Sequence, residues 1–229
     1  MIKLSERLNA MEESATLAMA RLSRELKAQG KDIISLSLGE PDFNTPQFIK
    51  DAAVVGLEQN FTTYTPVSGY DDLRERISHK FMRDNGLNYP KEQIVVSTGA
   101  KQSIANVVLS LINPGDEVII PAPYWVSYIE IVKMAGGIPV VIHAGIEQDF
   151  KINAAQFESA ITSKTKLFIF SSPCNPTGSV YTKEELRGLA DVLVKHPNII
   201  ALSDEIYEHI RFEGEHASLA QFSEIFDQV

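Results

Sequence analysis

The stretch KLFIFSSPCNPTG, residues 166–178, decides the fold class. Its first part, 166–170, is a short and mostly apolar run that shows no alternation of polar and apolar residues. Such a run predicts a strand buried on both faces of a parallel sheet. A rigid turn with two prolines and a glycine follows at once. Because open α/β sheets bind ligands beyond the carboxyl ends of their strands, this turn is a candidate functional loop.

Strands of the same kind recur on both sides of this stretch, and helical patterns separate them. The other predicted strands of this region are 93–97, 117–120, 138–142 and 199–203. The predicted helices are 101–112, 125–135, 153–161 and 182–195. Strands that alternate with helices predict an α/β fold with a mainly parallel sheet sandwiched by helices.

The first ninety residues are mostly helical in pattern. They predict a helix over 5–29 that ends at Gly30, and a short strand over 33–36. Pro46 can open a helix that runs to about Gln59, and a third helix is predicted from Asp71 to Asn85. The loops LGEPDFNTP (38–46) and FTTYTPVSGY (61–70) connect these helices.

The composition excludes several classes of protein. The 229 residues include 21 Lys and Arg against 30 Asp and Glu, a net charge of -9 without a basic run, so neither nucleic acid nor an anionic membrane is an expected partner. No apolar stretch is long enough to span a bilayer, and no signal peptide is visible. Cys174 is the only cysteine, so no intrachain disulfide is possible. We expect a soluble, cytoplasmic protein, and no metal site.

Four unusual loops follow predicted strands. They are STGAKQ (97–102), PAPYW (121–125), SSPCNPTG (171–178) and DEIY (204–207). Because the carboxyl ends of parallel strands meet at one edge of the sheet, these loops predict one shared site.

The turn STGAKQ exposes backbone N–H groups at the start of a helix, which is a favourable site for an anion. The same residues would also suit an ordinary turn before a capped helix. The turn is not a Walker motif, because GxxxxGK[ST] is absent.

The other three loops together offer four groups suited to a flat, charged ligand. Asn175 lies between two prolines, with an amide free to point into the site. Asp204 ends a strand, where a carboxylate needs a partner such as a pyridinium nitrogen. Trp125 could stack on a ring, and Tyr207 follows at the mouth. The alternatives are a structural turn for Asn175, a helix cap for Asp204 and a core indole for Trp125.

Together the loops offer a phosphate cradle, an aromatic platform, an amide, a carboxylate and a phenol. On these motifs the chain resembles a class I pyridoxal-phosphate aminotransferase of fold type I, in the bacterial aspartate aminotransferase branch. The matching segments are SATLAM (14–19), SLGEPDFNTP (37–46), YTPVSGYDDLR (64–74), STGAKQ (97–102), PGDEVIIPAPYWVSY (114–128), NPTG (175–178) and SDEIYEHIRFEGEH (203–216). Cys174 departs from the family, which usually has a second Asn there.

The resemblance implies pyridoxal 5'-phosphate as cofactor and assigns a role to each matched residue. Gly99, Ala100 and Lys101 would bind the phosphate, and Trp125 would stack on the ring. Asn175 and Tyr207 would bind the phenolic oxygen of the ring, and Asp204 would pair with its nitrogen. Tyr64 would reach the phosphate of a neighbouring subunit, which implies a homodimer with shared sites.

The resemblance also implies a substrate site for an amino acid and a 2-oxo acid. Gly39, Trp125 and Asn175 would lie beside the substrate. Thr16 and Lys101 would bind the side-chain carboxylate of a dicarboxylic substrate. In the alternative interpretation, Lys101 is solvated and Thr16 packs on a helix.

The catalytic lysine of the family, which forms the Schiff base, would lie beyond Val229, because 196–229 contain no lysine. We therefore expect residues 1–45 to belong to a small domain and 46–229 to be part of the large cofactor-binding domain. The implied activity is transfer of an amino group from L-aspartate to 2-oxoglutarate, with the 229 residues alone inactive. The alternatives are a prephenate or aromatic aminotransferase, and a non-catalytic fragment that binds cofactor or dimerises.

Overall fold

The computed structural model describes residues 3–9, 11–12, 15–36, 38–39 and 41–229. Two compact units share the chain: Met1–Glu12 with Asp71–Val229 form one, and Glu13–Tyr70 form the other. The predicted division at residue 45 refers to a complete two-domain protein and stays a prediction. Within the described ranges, no helix is both long enough and apolar enough to cross a membrane.

A four-stranded parallel sheet forms the centre of the larger unit. Its strands are β1 (Glu117–Ala122), β2 (Ile138–His143), β3 (Thr165–Ser171) and β4 (Ile200–Asp204), in the order β2-β1-β3-β4. The α-helices in chain order are α1 (Glu6–Asn9), α2 (Ala15–Ala28), α3 (Gln47–Glu58), α4 (Asp71–Lys80), α5 (Ala100–Leu111), α6 (Ser127–Met134), α7 (Ala154–Ala160) and α8 (Lys183–Lys195). A π-helical turn over Phe81–Asn85 extends α4. Short 3-10 turns lie at Lys91–Gln93, Ile146–Gln148, Leu219–Gln221 and Ser223–Gln228.

The two central strands are buried on both faces, as the apolar runs predict. Side chains of β1 and β3 that point to one face join a core with α7 and α8, in which Phe168 packs against Phe157. Side chains that point to the other face join a second core with α5 and α6, which includes Ile169 and Val108. The sheet therefore lies between two helical layers, and the predicted α/β fold is confirmed.

Local sequence signals determine where α7 and α8 begin. Asn153 and Gln156 form a capping box at the start of α7, and Thr182 and Glu185 form another at α8. In each box the two side chains satisfy backbone donors that a helix end leaves free. The predicted helices at 153–161 and 182–195 are therefore present.

Two predicted strands are absent from the structure. Residues 33–36 form no strand, and Ile34 and Leu36 are almost fully exposed. The segment 93–97 pairs with no strand among the described residues, and the N–H groups of Gln93 and Ile94 donate instead to Pro90 O and Lys91 O in a 3-10 turn. A strand needs a partner to satisfy its backbone, so an apolar run alone does not create one. A groove of about 680 Å³ is lined by Ile94 and Val95 and by residues 200–203 of β4.

The predicted helix over 5–29 is wrong as one continuous element. It is present as α1 and α2, and residues 11–12 between them are not helical. The Glu12 N–H donates to Glu130 Oε2 at 3.0 Å, on α6, instead of continuing the helix. Residues 10, 13 and 14 lie outside the described part of the chain.

The smaller unit carries α2 and α3. Pro46 precedes α3 and Gln59 ends it, as predicted. Phe61 and Tyr70 contact each other edge to face, with ring centroids 6.1 Å apart. Many of its large apolar side chains are exposed, Phe43 and Phe48 among them.

Candidate active site

The carboxyl ends of β1, β3 and β4 bring three of the four predicted loops to one edge of the sheet, and the fourth, STGAKQ, lines the same cavity. Ser171, the last residue of β3, is the register partner of Asp204, the last residue of β4. On the other side of β3 lies β1, after which the chain continues into Pro123 and Trp125. Strand order reverses between β1 and β3, because β2 lies on one side of β1 and β3 on the other. A crevice at such a reversal is the usual ligand site of open α/β sheets.

The first turn of α5 is open to an anion. Gly99 precedes the helix with φ +84°, a left-handed backbone that glycine adopts without strain. Among the described residues, no side chain caps this helix end. The Gly99 N–H donates to Ser97 O at 2.9 Å, and the Gln102 side chain accepts from the Thr98 N–H. The next N–H groups, of Ala100 and Lys101, therefore lie at the positive end of a twelve-residue helix.

The Asp204 carboxylate is held through both of its oxygens. Oδ2 accepts from the Tyr128 hydroxyl at 2.6 Å, and Oδ1 accepts from the Ile206 N–H at 3.3 Å. Burial of the Tyr128 ring, together with the negative charge of Asp204, raises the pKa of the phenol far above its usual range. The phenol therefore stays protonated and donates at all ordinary pH values. A helix-cap role for Asp204 would account for the Ile206 contact but not for the contact with Tyr128.

Trp125 lies between a cation and the buried phenol. The Lys101 ammonium is 4.9 Å from the centre of the indole ring, a cation–π contact. The planes of the Trp125 and Tyr128 rings are nearly perpendicular, at 87°, with centroids 5.6 Å apart. The indole is partly buried and packs against the core that includes Val108 and Ile169. The ring contact with Tyr128 holds the orientation of the indole.

Asn175 and Tyr207 meet although they come from different loops. The Asn175 Nδ2 donates to the Tyr207 hydroxyl at 3.2 Å. The loop of Asn175 is closed by bonds of its own: the Gly178 N–H donates to Cys174 O at 2.8 Å, and the Cys174 N–H donates to Ser179 O at 2.9 Å. The Asn175 amide and the Tyr207 phenol therefore lie side by side at the cavity.

Glu205 anchors the loop that carries Asp204 and Tyr207. Its Oε1 accepts from the hydroxyls of Ser203 and Ser218 at 2.8 and 2.7 Å. Its Oε2 lies 2.7 Å from Nε2 of His216, whose side chain is nearly buried. These contacts anchor the loop through Glu205, and none of them uses an oxygen of Asp204.

One cavity of about 320 Å³ collects most of the predicted residues. Seven of the ten line it, namely Gly99, Ala100, Lys101, Trp125, Asn175, Asp204 and Tyr207. The remaining three, Thr16, Gly39 and Tyr64, belong to the smaller unit, where the Tyr64 side chain is fully exposed. The roles of all ten stay predictions. The larger groove beside β4 is lined by none of them.

Sequence reasoning missed Tyr128, Ser171 and Ile206, which also line the cavity. Tyr128 follows Trp125 by three residues in YWVSY, and this helical spacing was the available signal. Ser171 and Ile206 carried none, because their positions follow from strand pairing and from the path of the loop.

An open parallel sheet with a phosphate-type turn, an aromatic platform and a carboxylate at one edge defines a class of protein. The chain belongs to the aminotransferase class I and II family, whose model matches residues 31–226.

Particular members of the family are close in sequence and structure. The aspartate/prephenate aminotransferase of Nitrosomonas europaea is 52% identical over 214 residues, which are 93% of this chain and 54% of that protein. The aspartate aminotransferase of Bacillus sp. (strain YM-2) is 51% identical over 222 residues, 96% of this chain and 56% of that protein. The Thermus thermophilus aspartate aminotransferase, solved with maleate, superposes with a TM-score of 0.93 at 45% identity, over 96% of this chain and 58% of that one. The chain thus spans a little over half the length of these relatives.

Proposed function

We propose that residues 1–229 are the N-terminal part of an aspartate aminotransferase that transfers an amino group from L-aspartate to 2-oxoglutarate. The observation that carries the proposal is the cavity in which Asp204, Trp125, Lys101 and the Asn175–Tyr207 pair come together. The names of the relatives support the same activity. The full-length form is defined here as a polypeptide in which the C-terminal half found in these relatives follows Val229.

The residues that line the cavity fit pyridoxal 5'-phosphate. An uncapped helix end suits its phosphate, and the partly buried indole of Trp125, which lines the cavity, suits the face of its ring. Asp204 is a carboxylate with one side facing the cavity, which suits a protonated pyridine nitrogen. A volume of about 320 Å³ is at the lower end of the range for small-molecule sites.

Each of these residues would contribute one physical effect. When bound, the cofactor supplies an electron-withdrawing pyridinium ring for chemistry at the substrate α-carbon. The negative charge of Asp204 would hold the proton on the ring nitrogen. The Asn175 amide and the Tyr207 phenol would orient the ring through its hydroxyl oxygen. Trp125 would cover one face of the ring and keep water from it.

Lys101, Thr16 and Gly39 are the proposed substrate residues. The Lys101 ammonium over the Trp125 ring lies at the cavity, where it can attract a carboxylate. The Thermus relative was solved with maleate, a dicarboxylate, which supports a doubly charged substrate. Thr16 and Gly39 belong to the smaller unit and are proposed from the family resemblance alone.

The remaining proposals concern assembly and location. We propose a cytoplasmic homodimer in which the exposed Tyr64 reaches the phosphate site of the partner subunit. Residues 196–229 contain no lysine, so the residue that attaches the cofactor would come from the C-terminal half. The 229 residues alone would then bind cofactor weakly, through its phosphate, and would not transaminate.

The test compares the full-length form with residues 1–229 alone. Each is supplied with pyridoxal phosphate, aspartate and 2-oxoglutarate, and the oxaloacetate formed is measured in a coupled assay. Turnover by the full-length form and none by residues 1–229 is the expected result. Prephenate in place of 2-oxoglutarate tests the second activity, which the name of the Nitrosomonas relative favours. Turnover by residues 1–229, or none by the full-length form, would contradict the proposal.

A further inference from the structure

Tyr128 has a contact that the predicted cofactor roles do not include. It is the third residue after Trp125 and lies in the first turn of α6. Its side chain is only 1% exposed and belongs to the core cluster that includes Val108 and Ile169. Only the hydroxyl end of the ring reaches the cavity, where it meets Asp204.

The contact with Asp204 is short and directional. A distance of 2.6 Å between the Tyr128 oxygen and Asp204 Oδ2 is typical of an O–H donor with a charged acceptor. In the part of the chain that the structure describes, the second donor to this carboxylate is the Ile206 N–H, which reaches the opposite oxygen at 3.3 Å. Tyr128 is therefore the stronger of these two restraints on the direction in which the carboxylate points.

The phenol is suited to act as a permanent donor. Burial and the nearby carboxylate keep its pKa far above the usual range, so it does not ionise at working pH. The aromatic ring cannot swing away, because it is enclosed by the core and by the edge of Trp125. Tyr128 thus couples two of the proposed cofactor residues, Trp125 and Asp204, through one rigid side chain.

We propose that Tyr128 is a positioning residue that holds the Asp204 carboxylate in line with the ring nitrogen of the bound cofactor. The inference rests on the proposed function, since it assumes the cofactor and the role of Asp204. Tyr128 itself acts through Asp204 and takes no part in bond making. Loss of its hydroxyl would let the carboxylate rotate while leaving the core packing almost unchanged.

The experiment uses the full-length form with Tyr128→Phe, Asp204→Asn and the double variant. The first readout is the affinity of each apo protein for pyridoxamine 5'-phosphate, measured by tryptophan fluorescence. Tyr128→Phe should cost the protein the contact between the Asp204 carboxylate and the ring nitrogen. Loss of such a hydrogen bond between charged groups weakens binding by about ten- to a hundred-fold. In the double variant, Tyr128→Phe should add almost nothing to the effect of Asp204→Asn, because Asp204→Asn has already removed the carboxylate that Tyr128 positions.

A second readout separates positioning from simple stability. With Tyr128→Phe, kcat should fall while the KM for aspartate changes little. The absorption band of bound pyridoxamine 5'-phosphate, which has no imine, should also change at lower pH than in the parent, because the ring nitrogen would hold its proton less firmly. The matched control is Tyr181→Phe, which removes another buried hydroxyl from the same unit. That hydroxyl accepts from the Ile152 N–H at 2.9 Å, so its loss should affect thermal stability only.

The possible outcomes are distinguishable. If Tyr128→Phe behaves like Tyr181→Phe while Asp204→Asn loses turnover, the positioning role is overturned and the proposed function stands. If the losses from Tyr128→Phe and Asp204→Asn simply add, Tyr128 does not act through Asp204, and the inference is again overturned. If the parent protein binds no pyridoxal phosphate, the proposed function fails, and this inference fails with it.

Discussion

Asn175 and Tyr207 are 32 residues apart in sequence, yet the Asn175 amide donates to the Tyr207 hydroxyl across 3.2 Å. The contact joins the loop after β3 to the loop after β4. Parallel pairing of these strands, which sets Ser171 beside Asp204, brings the two loops to the same edge. The Asn175 amide and the Tyr207 phenol can both donate to a single oxygen atom of a ligand. We propose that this atom is the hydroxyl oxygen of the cofactor ring.

Asn175→Ala should weaken cofactor binding by the full-length form. It removes one neutral hydrogen bond, so the expected loss in affinity for pyridoxal phosphate is about two- to ten-fold. Thr177→Ala is the control: Thr177 lies in the same loop, and its hydroxyl accepts from the Ser179 N–H at 3.2 Å, outside the cavity. Titration of the apo protein measures both variants. Equal effects of the two would make Asn175 a purely structural residue.

Gly99→Ala should reduce affinity for the phosphate group in particular. The backbone at Gly99 has φ +84°, which costs an alanine about 1–2 kcal/mol, so the turn should shift away from its anion-binding shape. Gly214 is the matched control, because its φ is +68° and, as at Gly99, an added Cβ would meet no described atom within 4 Å. We expect Gly99→Ala to lower affinity for pyridoxal phosphate but not for pyridoxal. Gly214→Ala should alter neither, and a loss of both affinities at Gly99 would argue against a phosphate turn.

Lys101→Ala should discriminate between substrates. Loss of the interaction between Lys101 and the side-chain carboxylate should raise the KM for aspartate by about ten- to a hundred-fold. The KM for an amino acid with an uncharged side chain should rise far less. Lys164→Ala, at an exposed lysine outside the cavity, should change neither. Steady-state kinetics of the full-length form measure the difference. Equal losses for both substrates would assign Lys101 to the cofactor or to the fold.

Glu208 should make stability depend on pH, because it ties the segment after β4 to the end of α4. Burial raises the pKa of this carboxyl, but hydrogen bonds from Asn85 (2.8 Å) and Lys80 outweigh that effect and lower the pKa below the ordinary 4.5. A lowered carboxyl pKa stabilises the fold above about pH 4.5, and this stabilisation is lost as pH falls through the folded-state pKa.

Glu208→Gln tests this sign in the full-length form. At pH 7 the variant should be less stable than the parent by about 1–3 kcal/mol, as expected for hydrogen bonds to a charged group. The difference should shrink as the pH is lowered below 4.5. Denaturant unfolding at several pH values measures it. A difference that stays constant across this range would show that the charge of Glu208 contributes nothing.

The sequence predicted all four strands of the sheet, including the outer strands β2 and β4 from the runs 138–142 and 199–203. The runs at 117–120 and 166–170 became β1 and β3, because their side chains are buried on both faces. The equally apolar run at 93–97 formed no strand, since pairing depends on a neighbour that composition does not reveal. Residues that line the cavity were predictable where a motif carried them, as in NPTG and DEIY, although their roles stay predictions. Tyr128 was not, because its role depends on the distance from α6 to β4.

The most direct test of the proposed function is the turnover of Asp204→Asn in the full-length form. Asparagine keeps the shape of the side chain but removes the charge that would hold the proton on the ring nitrogen. We predict that kcat for aspartate and 2-oxoglutarate falls by at least about a hundred-fold, while the protein still folds and binds pyridoxal phosphate. Near-normal transamination by this variant would contradict the assignment of Asp204 to the cofactor and would leave it as a cap on the loop after β4.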